Sequence, residues 1–261
     1  MNVVAIDIGN TNIRIGCYIE DEEKFIDTIA GGDDKTLTES LKKAWNDMPI
    51  SKLSKEKKKD GFLVASSVNP KWGEKLAGII SDELGEKLLF IGKEIPLPIE
   101  TMVDDASKVG TDRLVCAAAA YAVAGGAVVV ADFGTANTID LVDEDGIFIG
   151  GVIIPGFDLC ADALNRHTAV LPKVRIARPS KPYGSNTEEA ISTGIYFSAI
   201  GTLEEVLRRY AEEIGRWPQT VITGGCSKII KDDCPFVDSW VPNLAVKGVV
   251  LALKKYLEEI E

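Results

Sequence analysis

Twice in this chain an apolar strand runs into an aspartate, passes a glycine two residues on, and turns straight into another strand. The first copy is Val3 to Ile8 followed by Gly9-Asn10-Thr11-Asn12. The second is Ala127 to Ala131 followed by Asp132-Phe133-Gly134-Thr135-Ala136-Asn137. The two overlay at an offset of 125 residues, with Asp7 on Asp132, Gly9 on Gly134 and Asn12 on Asn137. Three identities are weak evidence by themselves; the matching strand–turn–strand context strengthens them. In a chain of 261 residues the repeat points to two copies of one α/β module, each of about 130 residues.

The remaining pattern agrees with a duplication. In the first half the alternation of Ile13, Ile15, Cys17 and Ile19 predicts a second strand, and Phe25–Ile29 a third. Helical spacing follows over 36–45, then a strand at 62–68, a helix over 70–84 opened by Pro70, and a strand at 88–91. In the second half, strands are expected at 127–131, 138–142, 147–154 and 221–223, and helices over 158–165, 187–209 and 246–259. The charge run at 52–60 reads as a solvated loop or helix end. Leu114 to Ala131 carries no charge, near the lower length for a membrane span. Its alanines and Gly125-Gly126 make it instead a helix over 112–124, a turn and a buried strand.

Net charge is −11, which argues against nucleic acid as the main partner but not against nucleotides, whose phosphates can be held by backbone N–H groups and a metal ion. Five scattered cysteines and a single histidine, His167, argue against a zinc site and suit a reducing cytoplasm. The N-terminus lacks the basic start of a signal peptide. The phosphate loops of other nucleotide folds are absent: there is neither Gly-x-x-x-x-Gly-Lys-Ser/Thr nor Gly-x-Gly-x-x-Gly. Asp132-Phe133-Gly134 matches the protein-kinase triplet only by letters, because no His-Arg-Asp precedes it.

The chemistry of the repeated loop favours phosphate. Gly9 lets the backbone approach a bulky anion, and Asn10, Thr11 and Asn12 add donors. Asp7 beside phosphate makes sense with Mg²⁺ between them, reached directly or through water. Alone, the loop is equally an ordinary hairpin turn. Its echo at Asp132-Phe133-Gly134-Thr135, and Gly224-Gly225 after the strand at 221–223, raise it to one part of a nucleotide clamp. Between the loops lies Gly110-Thr111-Asp112-Arg113. There a carboxylate is available to accept an alcohol proton during phosphoryl transfer, and an arginine to bind an acidic substrate. Taken alone, such a pair at a helix start also serves as a cap and a surface ion pair.

Together, DIGNTN at 7–12, VGTDRL at 109–114, DFGTANTIDLV at 132–142, GGVIIPG at 150–156, TAVLP at 168–172, and Asn186-Thr187 with Ile191–Gly194 resemble the type III pantothenate kinases. These belong to the superfamily of acetate and sugar kinases, heat-shock chaperone ATPases and actin. The resemblance covers nearly the whole chain. It implies a duplicated, actin-like ATPase (ribonuclease H-like βββαβαβα) fold, with domains over 1–111 and 112–261 and ATP in the cleft. It implies ATP contacts from Asp7, Ile8, Gly9, Asn10, Thr11, Asn12, Ile13, Arg14 and Thr135, and substrate contacts from Gly110, Thr111, Asp112, Arg113 and Thr187. Asp112 is then the base, Asp7 the Mg²⁺-side carboxylate and Asp132 the ligand of K⁺ or NH₄⁺, in a homodimer that phosphorylates pantothenate. One departure stands out: Val103 and Ala106 occupy positions where the family often has tyrosine and proline. A kinase for another small hydroxy acid, and a nucleotide-binding regulator without catalysis, are the alternatives.

Overall fold

Hydrophobic pattern and turn chemistry lay down the same series of elements twice. A computed structural model describes residues 1–51 and 58–260. The first half runs β1 (Val3–Ile8), β2 (Asn12–Ile19), β3 (Glu22–Ala30), α1 (Asp34–Asp47), β4 (Phe62–Ser67), α2 (Pro70–Leu84), β5 (Leu88–Phe90) and α3 (Thr111–Ala124). The second runs β6 (Val128–Phe133), β7 (Ala136–Val142), β8 (Phe148–Pro155), α4 (Phe157–Arg166), α5 (Thr187–Ile214), β9 (Gln219–Thr223), α6 (Ser227–Ile230), β10 (Ser239–Trp240) and α7 (Leu244–Ile260). The sheets have matching orders, β3-β2-β1-β4-β5 and β8-β7-β6-β9-β10, each with an antiparallel meander on one side and parallel strands on the other. This is the duplicated, actin-like βββαβαβα arrangement. Of the charged run at 52–60, residues 52–57 lie outside the described residues, while Lys59 forms an isolated bridge with Ile50.

The central strand β1 is buried along its whole length, which explains its apolar run, interrupted only by Asp7. On one face Val4, Ile6 and Ile8 pack with Leu41 and Trp45 of α1 and Leu76 and Ile80 of α2. Those helices begin where capping chemistry says they should: Asp33 accepts from Thr36 N–H, and Asn69 from Trp72 N–H just before Pro70. Helix α2 stops at Gly85, whose φ of 69° is left-handed. In the second unit Phe133 and Ile139 pack with Phe157 of α4 and Ile191, Ile195 and Tyr196 of α5.

The compact units do not divide at a single cut between 111 and 112. One comprises 1–100, 105–119 and 245–261; the other comprises 101–104 and 120–244. Helix α7 returns to the first unit because glycine clears its path. A Cβ on Gly248 would collide with the Val115 backbone of α3, and one on Gly16 of β2 would come within 2.6 Å of Val246. Segment 101–104 joins the second unit through Met102 N–H, which donates to Phe148 O at 2.9 Å. Helix α5 outlasts its expected end by five residues, to Ile214, and Gly215 at φ 72° terminates it. The short α6 and β10 have too few residues to leave a periodic signal. Among the described residues no helix is long and apolar enough to cross a membrane.

Candidate functional site

In the first unit β1 delivers Asp7 one residue before the strand ends, directly opposite Arg14 of β2. Arg14 Nη1 donates to Asp7 Oδ2 at 2.8 Å, and Asp7 is only 3% exposed. Burial pushes the Asp7 carboxyl up to about 6; the nearby negative charge of Asp112 adds to the rise, and Arg14 opposes it. Gly9 N–H donates to Asn12 O at 3.1 Å, closing the turn, and a Cβ on Gly9 would meet that same oxygen at 3.1 Å. Asn10 and Thr11 are exposed at the tip. Ile8 and Ile13 face each other in the ladder with their side chains in the core, where they hold the hairpin.

The second group of expected residues stands at the start of α3. Asp112 lies in its first turn, and Arg113 N–H donates to Asp112 Oδ1 at 2.8 Å. Burial raises the Asp112 carboxyl above the ordinary range, against the lowering effect of Arg113 and Arg14. Gly110 is needed for space: a Cβ there would sit 2.5 Å from Asp112 Oδ1. The Thr111 hydroxyl bonds to β4, which pairs with β1 so that Ser66 lies beside Asp7 and Ser67 beside Ile8. The structure therefore brings Asp7, Arg14, Gly110, Asp112 and Arg113 into one unit, with Asp112 close enough to Asp7 for its charge to raise the Asp7 carboxyl.

The second unit carries Asp132, Thr135 and Thr187. Asp132 lies half-buried one residue before the end of β6, opposite Thr138 of β7. The turn after β9 presses on it: Gly224 has φ 93°, and a Cβ there would run into Asp132 Oδ1 and the Phe133 carbonyl. Cys226 N–H, just beyond, donates to Phe133 O at 2.9 Å. Gly156, which precedes α4, fits over the hairpin tip where a Cβ would strike the Gly134 and Thr135 carbonyls, and its N–H donates to Thr135 O at 3.1 Å. Thr135 is exposed at the tip. Thr187 is the exposed first residue of α5, after Asn186, whose side chain caps Glu189 N–H at 2.9 Å.

The register corrects one detail of the sequence overlay. In the first hairpin Ile8 faces Ile13; in the second Phe133 faces Asn137. The second turn is one residue shorter, so Asn137 is the counterpart of Ile13 and not of Asn12. Asn137 is accordingly buried, and its Oδ1 has no hydrogen-bond partner among the described residues. Sequence reasoning also missed Ser66 and Ser67, which carry no motif signal, and the collision constraints on Gly110 and Gly156. His167 and Arg166 end α4: His167 N–H donates to Ala163 O, and Arg166 pairs with Asp162 one turn earlier.

Among the described residues no group of three or more His, Cys, Asp or Glu side chains could enclose a metal. Single carboxylates such as Asp7 and Asp132 fit cations that take most of their ligands from phosphate, carbonyl oxygen and water.

A family model described as type III pantothenate kinase matches residues 3–209. A type III pantothenate kinase of Ruegeria pomeroyi is 34% identical over 250 residues, covering 95% of both chains. One from Moorella thermoacetica is 32% identical over 257 residues, covering 97% of this chain and 99% of its own. A Campylobacter jejuni crystal structure, described as a putative Baf family transcriptional activator, superposes with a TM-score of 0.59 at 17% identity, covering 100% and 98% of the two chains, and supports the fold alone.

Proposed function

This chain belongs to the type III pantothenate kinase family, and we propose that it transfers the γ-phosphoryl group of ATP to pantothenate, giving 4′-phosphopantothenate on the way to coenzyme A. The observation that carries this reading is the Asp112 carboxylate: half-buried, raised above the ordinary range by desolvation, held at one oxygen by Arg113 N–H, and near enough to Asp7 for its charge to act on that carboxyl. In the proposed reaction the substrate hydroxyl oxygen attacks the γ-phosphorus while its proton passes to Asp112. The bond to the β-bridging oxygen breaks and ADP leaves. Arg113 receives the substrate carboxylate through charge-assisted hydrogen bonds. Gly110 contributes the space that keeps Asp112 in place.

The phosphates are assigned to the Gly9–Asn12 turn and to Arg14, with Thr135 as a further ATP contact. Mg²⁺, held on the Asp7 side through water, would neutralise charge on the β- and γ-phosphates. Asp132 would hold K⁺ or NH₄⁺. Thr187 is assigned to pantothenate in a homodimer, a reading in keeping with the exposed face of α5 that carries Phe197 beside the small residues Ala190, Gly194, Ser198 and Gly201. The cytoplasm is the proposed location, in keeping with five cysteines that form no disulfide.

The test is direct assay with ATP, Mg²⁺, K⁺ and pantothenate. Phosphopantothenate formation supports the reading. Turnover of a different hydroxy acid in its place favours the alternative left open by Val103, which packs beside Gly150. ATP binding with no turnover of any alcohol overturns the assignment of Asp112.

A further inference from the structure

We propose that Thr111 is a positioning residue whose hydroxyl sets the place of the Asp112 carboxylate relative to Asp7. This rests on the reading of Asp112 as the base. Its own support is the use made of one oxygen atom. Thr111 Oγ1 accepts from Ser66 Oγ at 3.0 Å and from Ser67 N–H at 3.2 Å, and donates to Ser67 O at 3.0 Å. That exhausts the ordinary capacity of a hydroxyl, one donor and two acceptor sites. Thr111 thus has no hydroxyl capacity left for a substrate.

The partners matter because of where they lie. Ser66 is fully buried and stands beside Asp7 in the parallel β1–β4 ladder; Ser67 stands beside Ile8. The link from Asp7 to Asp112 is therefore one step across the ladder, one hydroxyl, and one residue along α3. On one side Thr111 borders an open pocket of about 350 Å³, lined among others by Ser67, Gly73, Phe90, Gly92 and Leu97. Packing on that side is thin, so the hydroxyl's three bonds are the specific tie between Thr111 and β4. Gly110 supplies the other constraint, since only a missing Cβ leaves room for Asp112 Oδ1.

The decisive variant is Thr111→Val, which keeps the shape and removes all three bonds, with Thr111→Ser as the conservative control. With ATP–Mg²⁺ and pantothenate, Thr111→Val is expected to lower kcat about 10- to 100-fold, the scale of a small misplacement of a catalytic group. KM for pantothenate is expected to stay within about threefold, and Thr111→Ser to retain most of the wild-type kcat. Ser66→Ala, which removes one of the three bonds, should lower kcat by less. A rise in pantothenate KM at unchanged kcat would instead make Thr111 a substrate contact and overturn the proposal. So would unchanged kcat, or a Ser variant as impaired as the Val variant. If the wild type does not phosphorylate pantothenate, the functional reading fails first, and the positional claim is judged by crystallography. A Thr111→Val structure in which Asp112 keeps its place relative to Asp7 overturns it. If that variant does not fold, the same two measurements on Ser66→Ala decide.

Discussion

The two aspartate hairpins begin from the same strand–Asp-x-Gly–turn pattern and end in different environments. In the first, Asp7 faces Arg14, is almost completely buried, and shares an electrostatic field with Asp112. In the second, Asp132 faces Thr138, is half-buried, and is roofed by the backbone of Gly224. One residue fewer in the second turn shifts the pairing, so that a polar Asn137 occupies the place held by Ile13. Duplication supplied two equivalent strand ends. Their partners then differentiated them, one into a charge-paired carboxylate beside the proposed base and one into a carboxylate under a bare peptide. The proposed division of labour, Mg²⁺ side at Asp7 and monovalent cation at Asp132, follows that difference.

The largest effect expected concerns the neighbour that only the first hairpin has. Asp112→Asn should lower kcat by about 100-fold or more, the usual contribution of a general base, with the melting temperature little changed. Near-normal turnover would show that the first hairpin's electrostatic link to α3 does no proton chemistry. Asp7→Asn probes the same coupling through stability. A carboxyl raised from 3.8 to about 6 in the folded state contributes stability that is present below pH 3.8 and lost as pH rises towards 6. The Asn variant should therefore be more stable than the parent above pH 6, by up to about 3 kcal/mol, with the gap closing below about pH 4. Urea denaturation across that range measures it; a gap independent of pH breaks the contrast.

The second hairpin is best probed through its roof. Gly224→Ala combines a positive φ with a collision at Asp132 and should cost about 1–3 kcal/mol, read by thermal denaturation. Loss of stimulation by K⁺ in the surviving enzyme would tie that roof to the cation site. The smallest effect separates the turns themselves. Gly9→Ala forces a Cβ to 3.1 Å from the Asn12 carbonyl and should cost about 1 kcal/mol. Gly134→Ala meets its neighbours at an ordinary 3.4 Å and should stay within about 0.5 kcal/mol. Equal costs would mean that the turns are alike despite their different lengths.

Much of this was legible in the sequence. Strand β1 and helix α2 appear over their expected residues because a buried central strand reads as an apolar run, and an Asn-Pro start with a Gly end punctuates a helix locally. The carboxylates at 7, 112 and 132 were visible for the same reason: each closes or opens a periodic segment. Thr111 was not legible in its role. As a letter in Gly-Thr-Asp-Arg it reads as a substrate contact, while its hydroxyl goes to residues 44 and 45 positions away.

By itself, then, the sequence determined the order of the longer elements and the duplication, and it singled out the candidate site residues, since periodicity and turn chemistry act over a few residues. Tertiary structure decided which groups are partners. Register put Arg14 opposite Asp7 and Thr138 opposite Asp132; burial raised the carboxyls; and close backbone approach fixed Gly110, Gly156, Gly224 and the return of α7 to the first unit. Those outcomes depend on dielectric environment and on excluded volume between distant segments, neither of which is written in any short stretch of chain.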